Sequence, residues 1–415
     1  MGTNHSHHPT VVASPRAMRS ASAVLVVTAL ITLVAVIWLW PGEPPRSAAG
    51  TAAPPAQVTG DVTGVDRGAC PEGGAPEAAP GCRVHVHLTD GPDAGTEVVV
   101  DIPAGPGAPE VATGDTVVLA YQTDPANGKP YQITDHARST QLWILVAAFV
   151  LAVLAFGRWR GLTALLGLGV TFAALLLFIV PAILAGQPPL LVAIVGSAAI
   201  MMSVLYLTHG ITMETSIAVV GTLASLTLTG LLAAAFTGLT HLTGIASEES
   251  SLISVTYPAV DMQGLLLAGI LIGSLGVLDD VTVTQAATVR ELAAANPSYT
   301  PGELYRSATR IGRAHIASVI NTIILAYAGA SLPLLILLIA GNTPTGQVLT
   351  DQLMAQELVR SGVGTIGLIA AVPITTALAA VTARHASGAG HASGAGHASG
   401  AGHASGAGHR ARHAE

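Results

Sequence analysis

The feature that most constrains this chain is a series of apolar stretches close to 20 residues long. They fall at about 21–40, 140–157, 161–182, 189–208, 212–236, 262–289, 311–340 and 361–382. A stretch of that length spans a bilayer as a helix, because a helix satisfies its own backbone groups where water is absent. Charged residues make up 10% of the chain, where a soluble domain would carry about a quarter. The reading is an α-helical polytopic membrane protein of about eight transmembrane helices. It divides into a cytoplasmic tail (1–20), a first helix (21–40), an extracytoplasmic insert (41–139), a seven-helix bundle (140–382) and a disordered cytoplasmic tail (383–415).

Arginine placement sets the expected orientation. With the N-terminus inside, Arg16, Arg19, Arg158, Arg160, Arg290, Arg306, Arg310, Arg313, Arg384, Arg410 and Arg412 all fall on the cytoplasmic side. The short outer loops then carry Arg360 beside Glu248, Glu249, Asp261, Asp351 and Glu357. Both termini are cytoplasmic in this arrangement. The first span has a core too long for a cleaved signal peptide, although Ser47-Ala48-Ala49 would suit cleavage.

The insert reads as β structure. RVHVHL from Arg83, TEVVVDI from Thr96 and DTVVLAY from Asp115 alternate and are bounded by turn residues. A small five-stranded barrel resembling an oligomer-binding (OB-like) fold is expected. The insert holds 13 acidic and 5 basic residues, which argues against nucleic acid as a partner. Cys70 and Cys82, both in the insert, are expected to form a disulfide in an oxidising compartment. Closing that loop would stabilise by about 3 kcal/mol.

The C-terminal tail carries HASGAG repeats starting at His385, His391, His397 and His403. Such a Gly/Ser/Ala segment cannot bury a core. Loose transition-metal binding is one reading of the histidines; an unconstrained repeat expansion is the other. No metal site and no cofactor is expected.

Asp279 and Asp280 stand in the run GLLLAGILIGSLGVLDDVTVTQAATV. An ionisable residue inside a membrane span is a functional-site hypothesis by default. From Asp261 to Arg290 a helix measures about 43 Å, which matches a bilayer with its headgroups and sets the pair in the cytoplasmic half. Alternatively the span ends near Leu278 and the aspartates cap a cytoplasmic amphipathic helix. Thr282, Thr284 and Gln285 fit a polar inward stripe either way. The two carboxylates point about 100° apart on a helix, so they cannot form a protease dyad. No GxGD-type or HExxH motif is present, and no enzyme is expected. His315 and Asn321 lie near the cytoplasmic end of the next span, and histidine exchanges protons near neutral pH. Gly264, Gly269, Gly273 and Gly276 allow close helix packing, and Pro333 and Pro373 each suggest a kink.

These segments resemble the YibE/F family of bacterial membrane proteins. The matching stretches are GRWRGLTALLGL (157–168), LYLTHG (205–210), GLLLAGILIGSLGVLDDVTVTQAATVREL (264–292), RIGRAHIASVINTIILAYAGASLPLL (310–335) and AAVPITTALAAV (370–381). The resemblance covers about 60–382, and Ala314 stands where the family's acidic residue is expected before His315. It implies topology and a bacterial plasma membrane, not a substrate. The run from Gly276 to Leu292, with the segment from Arg306, is also remotely similar to resistance-nodulation-division permeases and to proton-driven accessory subunits of the Sec translocon. In those families an intramembrane acidic motif carries protons.

Two functions compete. In one, Asp279 and Asp280 bind and release a proton or cation in an ion-coupled permease, aided by His315, Asn321, Thr282 and Thr284. One bundle would then work with membrane lipid around it as a homo-oligomer or with a partner membrane protein. In the other, the chain is a non-transporting scaffold or sensor that binds an envelope partner through its insert.

Overall fold

A computed structural model describes residues 15–42, 56–66, 82–102, 110–122, 130–341 and 345–388. The chain divides into two compact units, one of Ser47–Leu165 and one of Met1–Arg46 with Leu166–Glu415.

In the first unit five strands form one antiparallel sheet: β1 (Ala56–Asp66), β2 (Cys82–Leu88), β3 (Glu97–Ile102), β4 (Thr116–Tyr121) and β5 (Tyr131–His136). Their order is β3-β2-β1-β4-β5, and the two outer strands β3 and β5 approach each other, so the sheet is curled. The alternation that marks β2 in the sequence is realised: Val84, Val86 and Leu88 are buried, and Arg83 and His87 face out. They pack with Val58, Val62, Val100, Ile102, Val117, Leu119 and Ile133 into one apolar core. β1 hides its pattern. The register shifts between Val62 and Gly64, and this bulge re-phases the alternation. At Gly60 an added Cβ would sit 2.5 Å from Val86 Cγ1, so glycine is required there for β1 and β2 to close. The disulfide expected between Cys70 and Cys82 lies outside the described residues, as does the tail beyond 388.

Helix α1 spans Pro15–Trp38 and α2 spans Ser139–Ala174. Inside α2, Arg158 is non-helical (φ 51°, ψ −125°). A Cβ on Gly161 would collide with the carbonyl of Val153. Eight residues on a straight helix are about 12 Å apart, so the chain folds back at Arg158, in the gap between 157 and 161. Beyond α2 come a π-helical turn (Leu175–Ile179), α3 (Val180–Leu184), α4 (Pro189–His209), α5 (Met213–Leu239), α6 (Glu248–Thr256), α7 (Met262–Ala295), α8 (Pro301–Ala330), α9 (Leu332–Ala340), α10 (Thr345–Thr350) and α11 (Gln352–Gly388).

Six helical stretches among the described residues are long and apolar enough to cross a membrane, with Ser139–Leu184 counted as one, and Ala23–Trp38 is a shorter apolar helix. The expected span 311–340 is two helices. α8 begins at Pro301 and ends at Ala330, and α9 starts at Leu332 with Pro333 as its second residue. Pro333 cannot continue the preceding helix without losing a hydrogen bond. Pro373 instead lies within α11 without ending it, so only one of the two prolines marks a break.

α7 is the hub of the second unit and packs against α4, α5, α8 and α11. Its apolar face is shared among several clusters. Leu275 and Ala286 meet α4 and α5 residues such as Met201 and Ala218, while Leu278 and Val281 meet Ile316, Leu368 and Val372.

Candidate functional site in the helical bundle

α7 runs without interruption from Met262 through the aspartates to Ala295. The pair therefore sits inside one unbroken helix and caps no helix end, whichever of the two membrane registers α7 takes. Asp279 is half-buried and Asp280 is exposed, as their 100° separation requires. Asp279 Oδ1 is enclosed and has no hydrogen-bond partner.

Two polar ties flank this carboxylate. Thr282, fully buried, lies with its hydroxyl 2.6 Å from that of Thr222 on α5 and also donates to the Asp279 backbone carbonyl at 3.0 Å. Gln285 Nε2 donates to the carbonyl of Ala308 on α8 at 2.9 Å and to Thr376 Oγ1 on α11 at 2.8 Å. Gln285 is 3% exposed, so both donations are made away from water, where a hydrogen bond holds geometry best. One turn and a half of α7 thus binds α5, α8 and α11 to the segment that carries the carboxylates.

The α7–α8 contact also sets relative depth. Gln285 lies against Ala308 and Gly312. The helices run antiparallel, so counting six residues from this point brings Asp279 level with about Ile316. His315 is therefore at the depth of Asp279. Its Nε2 is enclosed and unpartnered, and no hydrogen bond joins it to Asp279. Thr284 and Asn321 are exposed and lie outside the polar ties. Of the six residues singled out from the sequence, the structure thus brings Asp279, Thr282 and, in depth, His315 to one level, with Asp280, Thr284 and Asn321 on exposed faces.

Arg290 Nη1 pairs with Glu214 Oε2 at 2.8 Å. This tie lies eleven residues beyond Asp279, about 16 Å along the helix, so Glu214 is not a partner for the aspartates. Neither aspartate forms an ion pair among the described residues.

Sequence reading missed Thr222 and Thr376. The available signal was hydroxyls inside apolar spans: Thr222, Ser225 and Thr229 on α5, and Thr375 and Thr376 on α11, all essentially inaccessible. Small residues oppose them. A Cβ at Gly221 would collide with Thr375, and one at Gly367 with Thr229.

A bundle of long apolar helices with hydroxyls and a carboxylate turned inward, in a chain that also carries a small antiparallel β unit, defines a multi-pass helical membrane protein. Residues 145–385, more than half of the chain, match the YibE/F-like protein family, and the chain belongs to that family. The match begins after the last β strand, whereas the resemblance read from sequence starts at about 60. No curated protein and no solved structure matches the chain. The likeness to resistance-nodulation-division permeases rests on sequence motifs alone.

Proposed function

We propose that this protein is an ion-coupled permease in which Asp279 and Asp280 take up and release a proton or cation. The observation that carries the reading is the enclosed, partnerless Oδ1 of Asp279 on the hub helix. A buried acceptor with no donor in the protein is costly unless something fills it, and a mobile cation or proton is suited to do so. His315 lies at the same depth and Thr282 fixes the local backbone. In this reading Asn321 and Thr284 serve on exposed faces that a second copy or a partner membrane protein would cover.

The same reading takes eight spans. The fold-back at Arg158 divides Ser139–Leu184 into two crossings, and Ala23–Trp38 supplies the first. The arginine distribution then puts both termini in the cytoplasm of a bacterial cell and the β unit outside. That unit is an OB-like barrel in this proposal. The strand order β3-β2-β1-β4-β5, with β3 and β5 running in the same direction and approaching each other, supports closure. No hydrolytic chemistry is part of this reading.

A second reading draws on the β unit, which has its own apolar core. There the chain is a scaffold or sensor whose β unit binds an envelope partner. Proton flux into liposomes bearing the purified protein separates the two. The permease predicts flux under an imposed pH gradient, lost in Asp279→Asn/Asp280→Asn at unchanged folding. No flux in wild type, or equal flux in the variant, would transfer the function to the β unit.

A further inference from the structure

Away from the aspartates, one end of the α5–α11 seam gathers polar donors that the protein leaves unused. The two helices run antiparallel, with Gly221 against Thr375 and Thr229 against Gly367. Two turns beyond Thr229 along α5 lies Thr237. Two turns back from Gly367 along α11 lie Val359 and Arg360, with Gln356 one turn farther. The start of α11 is held there by Gln352, whose Nε2 donates to the Ile245 carbonyl at 3.1 Å and contacts Thr243. Ala233 and Val363 belong to one apolar cluster, in keeping with the same register.

Thr237 is 1% exposed and Gln356 is 7% exposed. Thr237 Oγ1, Gln356 Nε2 and Arg360 Nε are all enclosed and have no partner. Elsewhere on the seam Thr375 Oγ1 stands alone without a partner, while the hydroxyls of α5 are tied. Thr222, Ser225 and Thr229 each donate to the carbonyl four residues back, at 2.8–2.9 Å. Thr237 has the same option at Ala233 and does not use it. Arg360 Nη1 pairs with Glu357 Oε1 at 2.9 Å, which neutralises the pair and leaves Nε without an acceptor. A buried donor left without an acceptor is unfavourable, so three within about one turn of each other are a standing reason for a ligand.

All three atoms can donate, and what they lack is an acceptor. α7 and α11 run parallel, with Ser274 near Gly364 and Gln285 bonded to Thr376. Asp279 is thus level with about residue 370 of α11, and Arg360 lies about 15 Å from that level along the axis. This is a second site, distinct from the carboxylates.

We propose that Thr237, Gln356 and Arg360 bind the oxyanion group, carboxylate or phosphate in kind, of a small solute. As a cargo site the proposal rests on the permease reading; as a binding site it stands on the seam alone. Because the three atoms are closed to solvent, entry requires this end of α5 and α11 to part.

The test uses the full-length protein in detergent. Thermal unfolding is followed while acetate, sulfate or phosphate replaces chloride at constant ionic strength. The expected result is a saturable rise in Tm with at least one oxyanion. Apparent affinity should fall at least tenfold in both Thr237→Val and Gln356→Leu, with Asp279→Asn unaffected. If no oxyanion stabilises wild type saturably, or both variants bind as wild type does, the proposal is wrong and the unused donors are a packing feature. Binding without proton flux would sink the permease reading alone, and flux without binding would sink this site alone.

Discussion

The β unit and the helical bundle solve opposite solvent problems with the same residue types. In the β unit the interior is valine, leucine and isoleucine, and the polar residues of β2 and β3 face out. In the bundle, Leu231, Leu239 and Ile339 are 66%, 74% and 80% exposed, while Thr222, Ser225, Thr229, Thr282, Thr375 and Thr376 are completely buried. Among lipid tails, apolar contact gives helices no reason to associate, so small residues and hydroxyls take over that role. The comparison teaches where chemistry can reside. Most polar groups of the β unit face water and are ordinary, Tyr131 being the buried exception, whereas one in the bundle must be tied, and one left untied is informative.

The sharpest way to break this comparison is to shorten a core residue of the β unit. Leu119→Ala, at a fully buried position, should destabilise that unit by about 2–5 kcal/mol, read as a lowered midpoint in chemical denaturation followed by circular dichroism. A smaller loss would mean that the sheet is not held by burial.

The bundle should be sensitive to addition instead. Gly367→Ala drives a methyl into Thr229 and should cost about 1–3 kcal/mol, seen as a lower Tm in detergent. Gly276→Ala meets nothing within 4 Å and should leave Tm within about a degree of wild type. Equal effects at both positions would remove the case for glycine–hydroxyl packing.

Tyr131 gives the β unit a pH signature. Its hydroxyl donates to Asp93 Oδ2 at 2.6 Å, and burial together with that carboxylate raises its pKa above the ordinary 10. A raised folded-state value means the contribution is complete below pH 10 and is lost as pH climbs past it. Stability of the β unit should therefore decline above pH 10, and Tyr131→Phe should lower it by about 1 kcal/mol at neutral pH while flattening that decline. A decline of unchanged slope in the variant would assign the alkaline loss elsewhere.

The smallest expected effect concerns the α5–α7 tie. Thr282→Val removes the hydroxyl shared with Thr222, and such bonds inside membranes average about 0.6 kcal/mol. Its Tm should hardly move, yet proton flux should fall if Thr282 fixes the Asp279 backbone. Unchanged flux would reduce the tie to packing.

Much of the architecture was legible because its cause is local. Long apolar runs marked most helices, and the alternation of β2, β3 and β4 marked three of five strands. β1 escaped because Gly60 and the bulge after Val62 disrupt its period, and α8 began ten residues early because Thr300 and Glu303 form a reciprocal cap in a stretch too polar to count as a span. The aspartates were visible as charges in an apolar run. Their unequal exposure followed from helix geometry, yet which of them turns inward did not.

Hydropathy and residue period act over neighbouring residues, so the membrane bundle and its β insert can be read from the chain alone. Only the tertiary structure decided that Asp279 rather than Asp280 is enclosed, that Gln285 joins three helices, and that Thr237, Gln356 and Arg360 share one end of a seam. Those facts depend on register between helices far apart in the chain, and register is set by which glycine accommodates which hydroxyl.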